Sequence, residues 1–280
     1  MIRMVFIIAE LGTNHMGDVK IAKEMISVAK STGCDAVKLQ KKNIEKIYTK
    51  KFLDSYLESP WGTTQREMRL YREFSEKQLS KIFQHSKKLK IPLFFSCWDI
   101  DSQIQMRKFK TKYNKVASAM LTHHKLLEVI AEEKKYTFIS TGMSTMKDIE
   151  KAVKIFRKHK CPFELMHTNS SYPMLIEEAN LRLIEKLKNK FKCKVGYSGH
   201  ESGGDLVCVA AVLMGANSIE RHITIDRATY GSDQAASLEP AGWIRLVRDI
   251  KAIEQMVGDG KKKIWESEKP IMKKLRERLV

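Results

Sequence analysis

Apolar and polar positions along the chain follow a repeated pattern. A short run of apolar or β-branched residues leads into a polar turn, and the turn leads into a segment whose apolar residues lie three or four positions apart. The first run, MVFIIAE, ends at Glu10 and precedes an amphipathic segment at Val19–Ser31. The pattern predicts eight strands, each followed by a helix, at residues 4–10, 36–40, 93–96, 115–118, 137–140, 163–167, 194–197 and 218–220.

Eight strand–helix units in a chain of this length predict an α/β protein built as a single (β/α)8 TIM barrel. The alternative is a doubly wound sheet, which usually carries a glycine-rich phosphate loop after its first strand. The corresponding segment, GTNHMGD, does not match GxGxxG. The prediction is therefore one barrel domain over residues 1–258, followed by a basic tail over residues 259–280 that packs on the outside or frays.

Residues Asn43–Tyr71 interrupt the pattern after the second strand. The segment is polar, includes the aromatic-bearing stretch YLESPWGTTQREMRLY, and is too long for a simple strand-to-helix loop. Excursions of this length often cover a binding site. We therefore expect a lid next to the carboxyl end of the second strand.

Composition indicates a globular protein of a reducing compartment. The chain has no run of about 18 uncharged apolar residues, which a membrane span would need. Its amino-terminal apolar run is interrupted by Glu10 and lacks a small-residue cleavage site, so it is typical of a strand and not of a signal peptide. The five cysteines are scattered and never form a CxxC pair, as in proteins with free thiols. We expect a cytoplasmic protein without a membrane partner.

The formal net charge of +18 raises the question of a nucleic-acid partner. A nucleic-acid binder would concentrate lysine and arginine on one face, with aromatic residues between them. Here the lysines are spread through nearly every predicted helix, as in KQLSKIFQHSKKLK. Solvated helix faces are the better explanation, and no nucleic-acid partner is predicted. The same positive field would attract an anionic substrate.

Polar side chains follow nearly every predicted strand. Because the carboxyl ends of parallel strands meet at one mouth of a barrel, we expect these side chains to converge. Two lysines at one mouth need anionic partners, and lysines with hydroxyls suit a phosphate or a carboxylate. Two neutral imidazoles, His200 and His222, could hold a divalent transition metal with open positions for substrate. Each residue alone also has a structural explanation, such as a helix cap or an ion pair.

The motifs IAELGTNHMG, VKLQ, KVAS, ISTGMS, SSYP, GYSGH, ERHIT and GSDQAASLEP occur in this order over nearly the whole chain. This string resembles the sialic acid synthase family, whose members condense phosphoenolpyruvate with an N-acyl amino-sugar to make nonulosonic acids. The resemblance implies a transferase of carbohydrate biosynthesis that uses a divalent metal, Mn²⁺ foremost, with Mg²⁺ or Co²⁺ as alternatives.

The resemblance also implies roles for the residues at the strand ends. His200 and His222 match the metal ligands, and Glu10 matches the carboxylate that contacts the acceptor sugar. The implied catalytic residues are Glu10, Lys38, Lys115, His200 and His222. The implied substrate-binding residues are Asn14, Gln40, Ser96, Ser118, Ser140, Ser170, Tyr172, Ser198 and Asp233.

Several positions depart from the family pattern. Met120 and Gly199 replace a glutamate and an aspartate, and Cys97 replaces a phosphate-binding threonine. Because these changes fall mostly on the acceptor side, we expect an acceptor other than N-acetylmannosamine itself. The family's C-terminal antifreeze-like domain, which lends an arginine to the partner's site, has no counterpart after Val257. We therefore expect a bare-barrel homodimer without domain exchange, in which Arg227 is a candidate replacement for that arginine.

Three other functions stay open on sequence alone. A related synthase could use a sugar phosphate, for which residues 41–51 offer the lysines of a second phosphate site. A Schiff-base aldolase could use Lys38 or Lys115 as its nucleophile, provided that the lysine is desolvated and its pKa depressed. A barrel that has lost catalysis could still bind sugars, although the lysines and histidines in place favour an enzyme.

Overall fold

Eight parallel strands close into a barrel. The structure is a computed structural model that describes residues 5–277. Strands β1, β2 and β5–β10 pair in parallel with their neighbours, and β10 pairs with β1 and so closes the sheet. The predicted TIM barrel is confirmed. The strands are β1 (Phe6–Glu10), β2 (Ala36–Lys41), β3 (Tyr56–Ser59), β4 (Gly62–Thr64), β5 (Leu93–Cys97), β6 (Tyr113–Val116), β7 (Tyr136–Ser140), β8 (Phe163–Thr168), β9 (Lys194–Gly199), β10 (Ser218–Ile223) and β11 (Ser237–Leu238).

Helices surround the barrel and follow its strands. Their polar residues face solvent, while their apolar stripes contribute to the core between helices and sheet. The helices are α1 (Val19–Thr32), α2 (Ile44–Ile47), α3 (Lys50–Leu53), α4 (Gln65–Arg72), α5 (Glu76–Lys88), α6 (Ile100–Met106), α7 (His124–Glu132), α8 (Met146–Lys158), α9 (Arg182–Phe191), α10 (Leu206–Leu213), α11 (Pro240–Met256) and α12 (Lys269–Arg276).

An aromatic floor fills the amino-terminal end of the barrel. The rings of Phe6, Phe94, Tyr113 and Phe138 lie 5.3–5.8 Å apart, measured between centroids. Because side chains alternate along a strand, the residues two positions further on also point inward, one layer nearer the mouth. These next positions include Lys115. The floor therefore packs directly beneath the polar side chains of the next layer, such as Lys115.

Two predicted strands differ from the structure in ways that matter for the site. The fourth barrel strand is Tyr113–Val116 and not 115–118, so Ser118 lies in a 3₁₀ turn, Ser118–Met120. The eighth strand continues to Ile223, so His222 lies within β10 and not past its end. In both strands polar residues face the barrel interior and interrupt the apolar run. The predicted fourth strand was therefore displaced, and the predicted eighth strand was too short.

The excursion after β2 folds into a small unit over the mouth. Helices α2 and α3 lead into an antiparallel hairpin of β3 and β4, and α4 returns the chain to the barrel. The ring of Trp61 stacks on Tyr71 at 5.1 Å and meets the edge of Tyr230 at 5.7 Å. Tyr230 belongs to the loop after β10, so the excursion contacts the last loop of the barrel.

The basic tail follows α11 along the outside of the barrel. Its described residues, 259–277, are mostly exposed and contain α12. Trp265 of the tail lies in a groove with Val5, Leu213 and Ile253, at the amino-terminal end of the barrel. Within residues 5–277, no helix is both long and apolar enough to pass through a membrane.

Candidate active site

Four charged side chains meet at the centre of the barrel, one layer above the aromatic floor. The Nζ of Lys38 lies 3.2 Å from Glu10 Oε2 and 2.9 Å from Glu220 Oε1. The Nζ of Lys115 lies 3.1 Å and 3.0 Å from the two carboxylate oxygens of Glu220. All four residues are buried. Two cations and two carboxylates therefore compensate each other, and this centre carries no net formal charge.

Electrostatics keeps the central glutamate ionised. Burial alone would raise the pKa of Glu220, but Lys115 and Lys38 hold it well below its usual range. Burial would likewise lower the pKa of Lys38, and the carboxylates of Glu10 and Glu220 more than offset it, so this pKa is raised. For Lys115, burial prevails over Glu220 and lowers the pKa to about 8. Glu220 thus fixes two lysines side by side at the mouth.

Two serine hydroxyls from different loops converge on Gly142, just after β7. The backbone N–H of Gly142 donates to Ser118 Oγ at 3.2 Å. A Cβ at Gly142 would lie 2.8 Å from Ser118 Oγ and 2.2 Å from Ser170 Oγ. A side chain here would therefore displace both hydroxyls. Hydroxyls and a backbone amide grouped in this way suit the oxygens of a phosphate or carboxylate.

The remaining predicted serines lie at the ends of their strands. Ser198 donates to Glu220 Oε1 at 3.3 Å and joins the central charge cluster. Ser140 is buried at the end of β7. The hydroxyl of Ser96 is buried and has no hydrogen-bond partner within the described residues. Such a hydroxyl is free to bind a ligand oxygen.

His200 is held as a neutral imidazole with a defined tautomer. Its Nδ1 lies 2.5 Å from the carbonyl oxygen of Asn169, which can only accept, so Nδ1 carries the proton. Its Nε2 then accepts from the hydroxyl of Tyr172 at 2.9 Å. Burial, with a smaller contribution from His222, lowers the pKa of His200 to about 3. A backbone partner at Nδ1 is how proteins orient a metal-binding histidine.

His222 lies next to His200, with ring centroids 5.5 Å apart. Its Nδ1 is buried without a hydrogen-bond partner among the described residues and lies 3.7 Å from Asp233 Oδ2. Gly12 permits this approach, because a Cβ there would lie 2.7 Å from both atoms. Asp233 in turn accepts from the Thr13 hydroxyl at 3.2 Å.

The two histidines fit a divalent metal ion that takes part of its coordination from other molecules. A neutral ring anchored through Nδ1 and a buried ring nitrogen without a partner are suitable nitrogen donors. Within residues 5–277, no group of three or more His, Cys, Asp or Glu side chains is arranged to hold a metal. The protein would thus supply two ligands, and substrate or water the remainder.

A cavity of about 570 Å³ opens beside the histidines and under the excursion. Gln40, Tyr172 and Asp233 all line it, which brings together three of the predicted substrate-binding residues. Gln40 also donates to Glu10 Oε1 at 2.9 Å and so connects the cavity to the central charges. The volume is that of a typical small-molecule site.

Asn14 is placed differently from the other predicted site residues. Its Nδ2 donates to the carbonyl of Ile223 at 2.9 Å and to the hydroxyl of Ser237 at 2.7 Å. These bonds tie the loop after β1 to the end of β10. Asn14 therefore positions the loop that carries Gly12 and Thr13.

The departures from the family pattern have structural explanations. Met120 packs against the hydrophobic core. Cys97 is fully buried in the same core at the end of β5, and burial raises the pKa of its thiol well above the usual value. A Cβ at Gly199 would lie 2.7 Å from Glu201 Oε2 and 2.9 Å from Arg221 Cδ. The buried Glu201–Arg221 ion pair thus occupies the space that an aspartate at position 199 would need.

The side chain of Arg227 donates hydrogen bonds to the loops after β9 and β10. Its guanidinium donates to the carbonyl of Ala235 at 2.8 Å and to the hydroxyl of Ser202 at 3.2 Å. It does not line the acceptor cavity, which arginines of the excursion line instead. The structure therefore gives no support to Arg227 as the basic residue of the site.

Sequence analysis missed Glu220, the central member of the charge cluster. Ser218, Glu220 and His222 alternate along β10, so all three face the barrel interior. This alternation is the feature of the sequence that could have identified Glu220 as an interior residue. It also missed Arg72, which is buried because the excursion folds over the mouth, and no local pattern marks that contact.

Comparisons with known proteins identify the family of this chain. A model described as the NeuB family matches residues 25–262. The N-acetylneuraminate-9-phosphate synthase of Mus musculus is 35% identical over 280 residues, covering 98% of this chain and 77% of the relative. The N,N'-diacetyllegionaminic acid synthase of Campylobacter jejuni is 34% identical over 280 residues, covering 98% and 84%.

A solved structure is similar over almost the full length. The crystal structure of an N-acetylneuraminic acid synthetase from Leptospira borgpetersenii has a TM-score of 0.85 and 33% identity, and the match covers 99% of this chain and 93% of that one. The fold, the family model and the curated relatives agree with the order of the motifs. The chain belongs to the NeuB family and is an enzyme of the sialic acid synthase type.

Proposed function

We propose that the chain condenses phosphoenolpyruvate with an N-acyl amino-sugar aldehyde, giving a sialic-acid-like nonulosonic acid and phosphate, with a divalent metal bound by His200 and His222. One observation carries the proposal: two buried lysines, a serine cradle and two adjacent imidazoles meet at one barrel mouth. The names of the relatives, a 9-phosphate synthase and a legionaminic acid synthase, support the reaction class.

Phosphoenolpyruvate fits the side of the mouth that holds the lysines and serines. Lys38 and Lys115 present cationic groups, and Ser118 and Ser170 present hydroxyls around Gly142. A phosphate and a carboxylate need several such donors at once. The acceptor would then occupy the cavity lined by Gln40, Tyr172 and Asp233, on the other side of the histidines.

The charge balance of the site supports a metal cofactor. The lysines are already neutralised by Glu10 and Glu220, so this centre by itself offers no excess positive charge. Phosphoenolpyruvate adds a phosphate of about −1.5 to −2 and a carboxylate. A divalent ion on His200 and His222, such as Mn²⁺, Mg²⁺ or Co²⁺, would offset these charges and polarise the acceptor aldehyde.

The reaction forms one carbon–carbon bond and replaces the carbon–oxygen bond to phosphate by a carbon–oxygen bond to water. The methylene carbon of phosphoenolpyruvate bonds to the aldehyde carbon. The π electrons of the aldehyde C=O bond move to its oxygen, which becomes an alkoxide. Water adds to the cationic carbon that bears the phosphate, and its protons pass to the alkoxide and the departing phosphate. Glu10 would hold that water, since Gln40 and Lys38 keep its carboxylate fixed beside the mouth.

The proposal is tested by phosphate release from phosphoenolpyruvate in the presence of Mn²⁺ and a panel of hexosamines and their N-acyl derivatives. We expect release only with an acceptor, its loss on chelation, and its recovery when Mn²⁺ is restored. His222→Ala should abolish it even with excess metal. Release that survives both chelation and His222→Ala would contradict the metal-dependent mechanism.

A Schiff-base aldolase is the second candidate, because burial lowers the pKa of Lys115 to about 8. A lysine nucleophile needs a depressed pKa, but Lys115 is held by both oxygens of Glu220, an arrangement that favours the charged ammonium. Borohydride reduction in the presence of pyruvate distinguishes the two functions. A covalent adduct at Lys115 by mass spectrometry would favour the aldolase, and its absence the synthase.

A further inference from the structure

Three basic side chains line the acceptor cavity on the side of the excursion. Lys42, Arg69 and Arg72 face the same space as Gln40. These four residues also line an adjoining recess of about 30 Å³, which is large enough for a small group of atoms. None of the three cations belongs to the central cluster of Lys38 and Lys115.

Arg72 is buried without a partner. It is 9% exposed, and its Nε has no hydrogen-bond partner within residues 5–277. No carboxylate of the described residues lies within ion-pair distance of its guanidinium, and burial lowers its pKa by more than the nearby charge of Asp233 raises it. A buried guanidinium is costly unless it is paired. Because Arg72 lines the cavity, the missing partner would come from a ligand there.

The neighbouring carboxylates are already engaged. Glu73 accepts from Lys41 Nζ at 2.8 Å, and Asp233 accepts from the hydroxyl of Thr13. The ammonium of Lys42 lies 3.9 Å from the centre of the Trp98 ring, and burial lowers its pKa to about 8. Positive charge therefore exceeds negative charge on this side of the cavity.

Arg69 is held in a fixed position by neutral groups. It donates to Gln65 Oε1 at 3.1 Å and to the hydroxyl of Tyr48 at 3.0 Å. Its guanidinium also lies 4.5 Å from the centre of the Tyr48 ring. These contacts orient Arg69 without neutralising it. Helix α4 thus presents two arginines to the cavity, of which Arg69 is preorganised.

We propose that the acceptor is a phosphorylated amino-sugar whose phosphate is held by Arg72 and Lys42. This inference rests on the proposed function, because it extends the acceptor from the histidines along the same cavity. A phosphate offers about two negative charges and several acceptor oxygens, which suit a guanidinium and an ammonium together. A sugar hydroxyl in that place would leave Arg72 without a counter-charge.

The relatives do not determine this choice. They include a 9-phosphate synthase and a legionaminic acid synthase at almost the same identity, 35% and 34%. The selection of a phosphorylated acceptor therefore depends on this chain's own residues. Lys42 and Arg72 are the two of these three cations whose side chains donate no hydrogen bond to another described residue, whereas Arg69 donates to Gln65 and Tyr48.

The test compares N-acetylmannosamine with its 6-phosphate as acceptors, followed by the consumption of phosphoenolpyruvate with Mn²⁺. We expect kcat/KM to favour the phosphorylated sugar by at least 10-fold. In Arg72→Met this preference should fall to near unity through a higher KM for the phosphorylated sugar, and Arg72→Lys should restore part of it. Arg245→Met removes an exposed arginine of α11 and is the matched control, which should keep the wild-type preference.

The outcomes separate this inference from the proposed function. Equal or better turnover of the unphosphorylated sugar by the wild type would overturn the phosphate site and leave the synthase reaction intact. If neither sugar reacts, calorimetric titration with the 6-phosphate decides. Binding that Arg72→Met weakens at least 10-fold supports the site, and absence of binding to the wild type overturns it.

Discussion

Glu220 is the residue on which the arrangement of the active site most depends. Its carboxylate is the shared partner of Lys38 and Lys115 and also accepts from Ser198. Removing its charge leaves two buried ammonium groups with only Glu10 as counter-charge. One residue therefore determines both the stability of the barrel interior and the position of the two cations.

We expect Glu220→Gln to lower the free energy of unfolding by about 3–5 kcal/mol, as for the loss of one partner of a buried ion pair. Urea unfolding at neutral pH measures this through the midpoint and slope. Glu177→Gln, an exposed glutamate after β8, is the control and should stay within about 0.5 kcal/mol of the wild type. An unchanged midpoint for Glu220→Gln would show that the pair contributes little.

Lys42 makes a pH-dependent contribution to stability. Burial lowers its pKa from 10.5 to about 8 in the folded chain, so the unfolded chain binds more protons between these values. Stability attributable to Lys42 is therefore lowest below pH 8 and rises as the pH increases towards 10.5. We expect Lys42→Met to be more stable than the wild type at pH 7, with a difference that shrinks above pH 8.

Thermal unfolding of the two proteins from pH 7 to pH 10 measures this difference. Lys51→Met, which removes an exposed lysine of the same excursion, is the control and should show no such trend. A gain from Lys42→Met that is constant over the range would mean that the ammonium is not desolvated.

At the scale of single residues, the sequence pattern located most of the groups at the strand ends. It missed Glu220, which alternation along β10 signals, and Arg72, which depends on a tertiary contact. Lys38 and Lys115 face the mouth because of strand alternation, which a sequence displays directly. Arg72 occupies the cavity only because α4 folds back across the mouth. No periodicity in the sequence predicts such a return.

At the scale of elements, the excursion is the part that distinguishes this barrel. Its helices and hairpin carry Tyr48, Leu57 and Arg69 to the acceptor cavity, while the barrel strands supply the central charges. The regular strand–helix units were predictable within a few residues because each is a continuous apolar run or stripe. The hairpin was not, since β3 and β4 are short and bury little apolar surface.

Trp61 connects the excursion to the barrel through Tyr71 and Tyr230. We expect Trp61→Ala to loosen this contact and raise the KM for the acceptor several-fold, while the KM for phosphoenolpyruvate changes little. Steady-state kinetics with each substrate varied in turn provides the measurement. Trp265→Ala, in the exposed tail, is the control. A rise in the KM for phosphoenolpyruvate alone would contradict the assignment of the excursion to the acceptor.

At the scale of the whole molecule, much of the positive charge lies away from the mouth. Basic residues occupy the last turns of α1, α5, α8 and α9, where they interact favourably with the helix dipoles. In a barrel these helix ends lie beside the amino-terminal ends of the strands, opposite the active site. Part of the net charge of +18 thus has a structural explanation at this face.

This distribution predicts which charges influence the capture of an anionic acceptor. Salt screens charges beyond about 8 Å at physiological ionic strength, so lysines on the far face should contribute little above that concentration. We expect kcat/KM for the phosphorylated acceptor to fall as salt increases, and to fall less steeply in Arg72→Met because a cation of the cavity is gone. A double variant, Lys87→Gln with Lys88→Gln, removes two exposed charges from the last turn of α5 and should keep the wild-type slope. If the salt dependence of kcat/KM changed in the double variant and not in Arg72→Met, the overall field, and not the cavity, would attract the substrate.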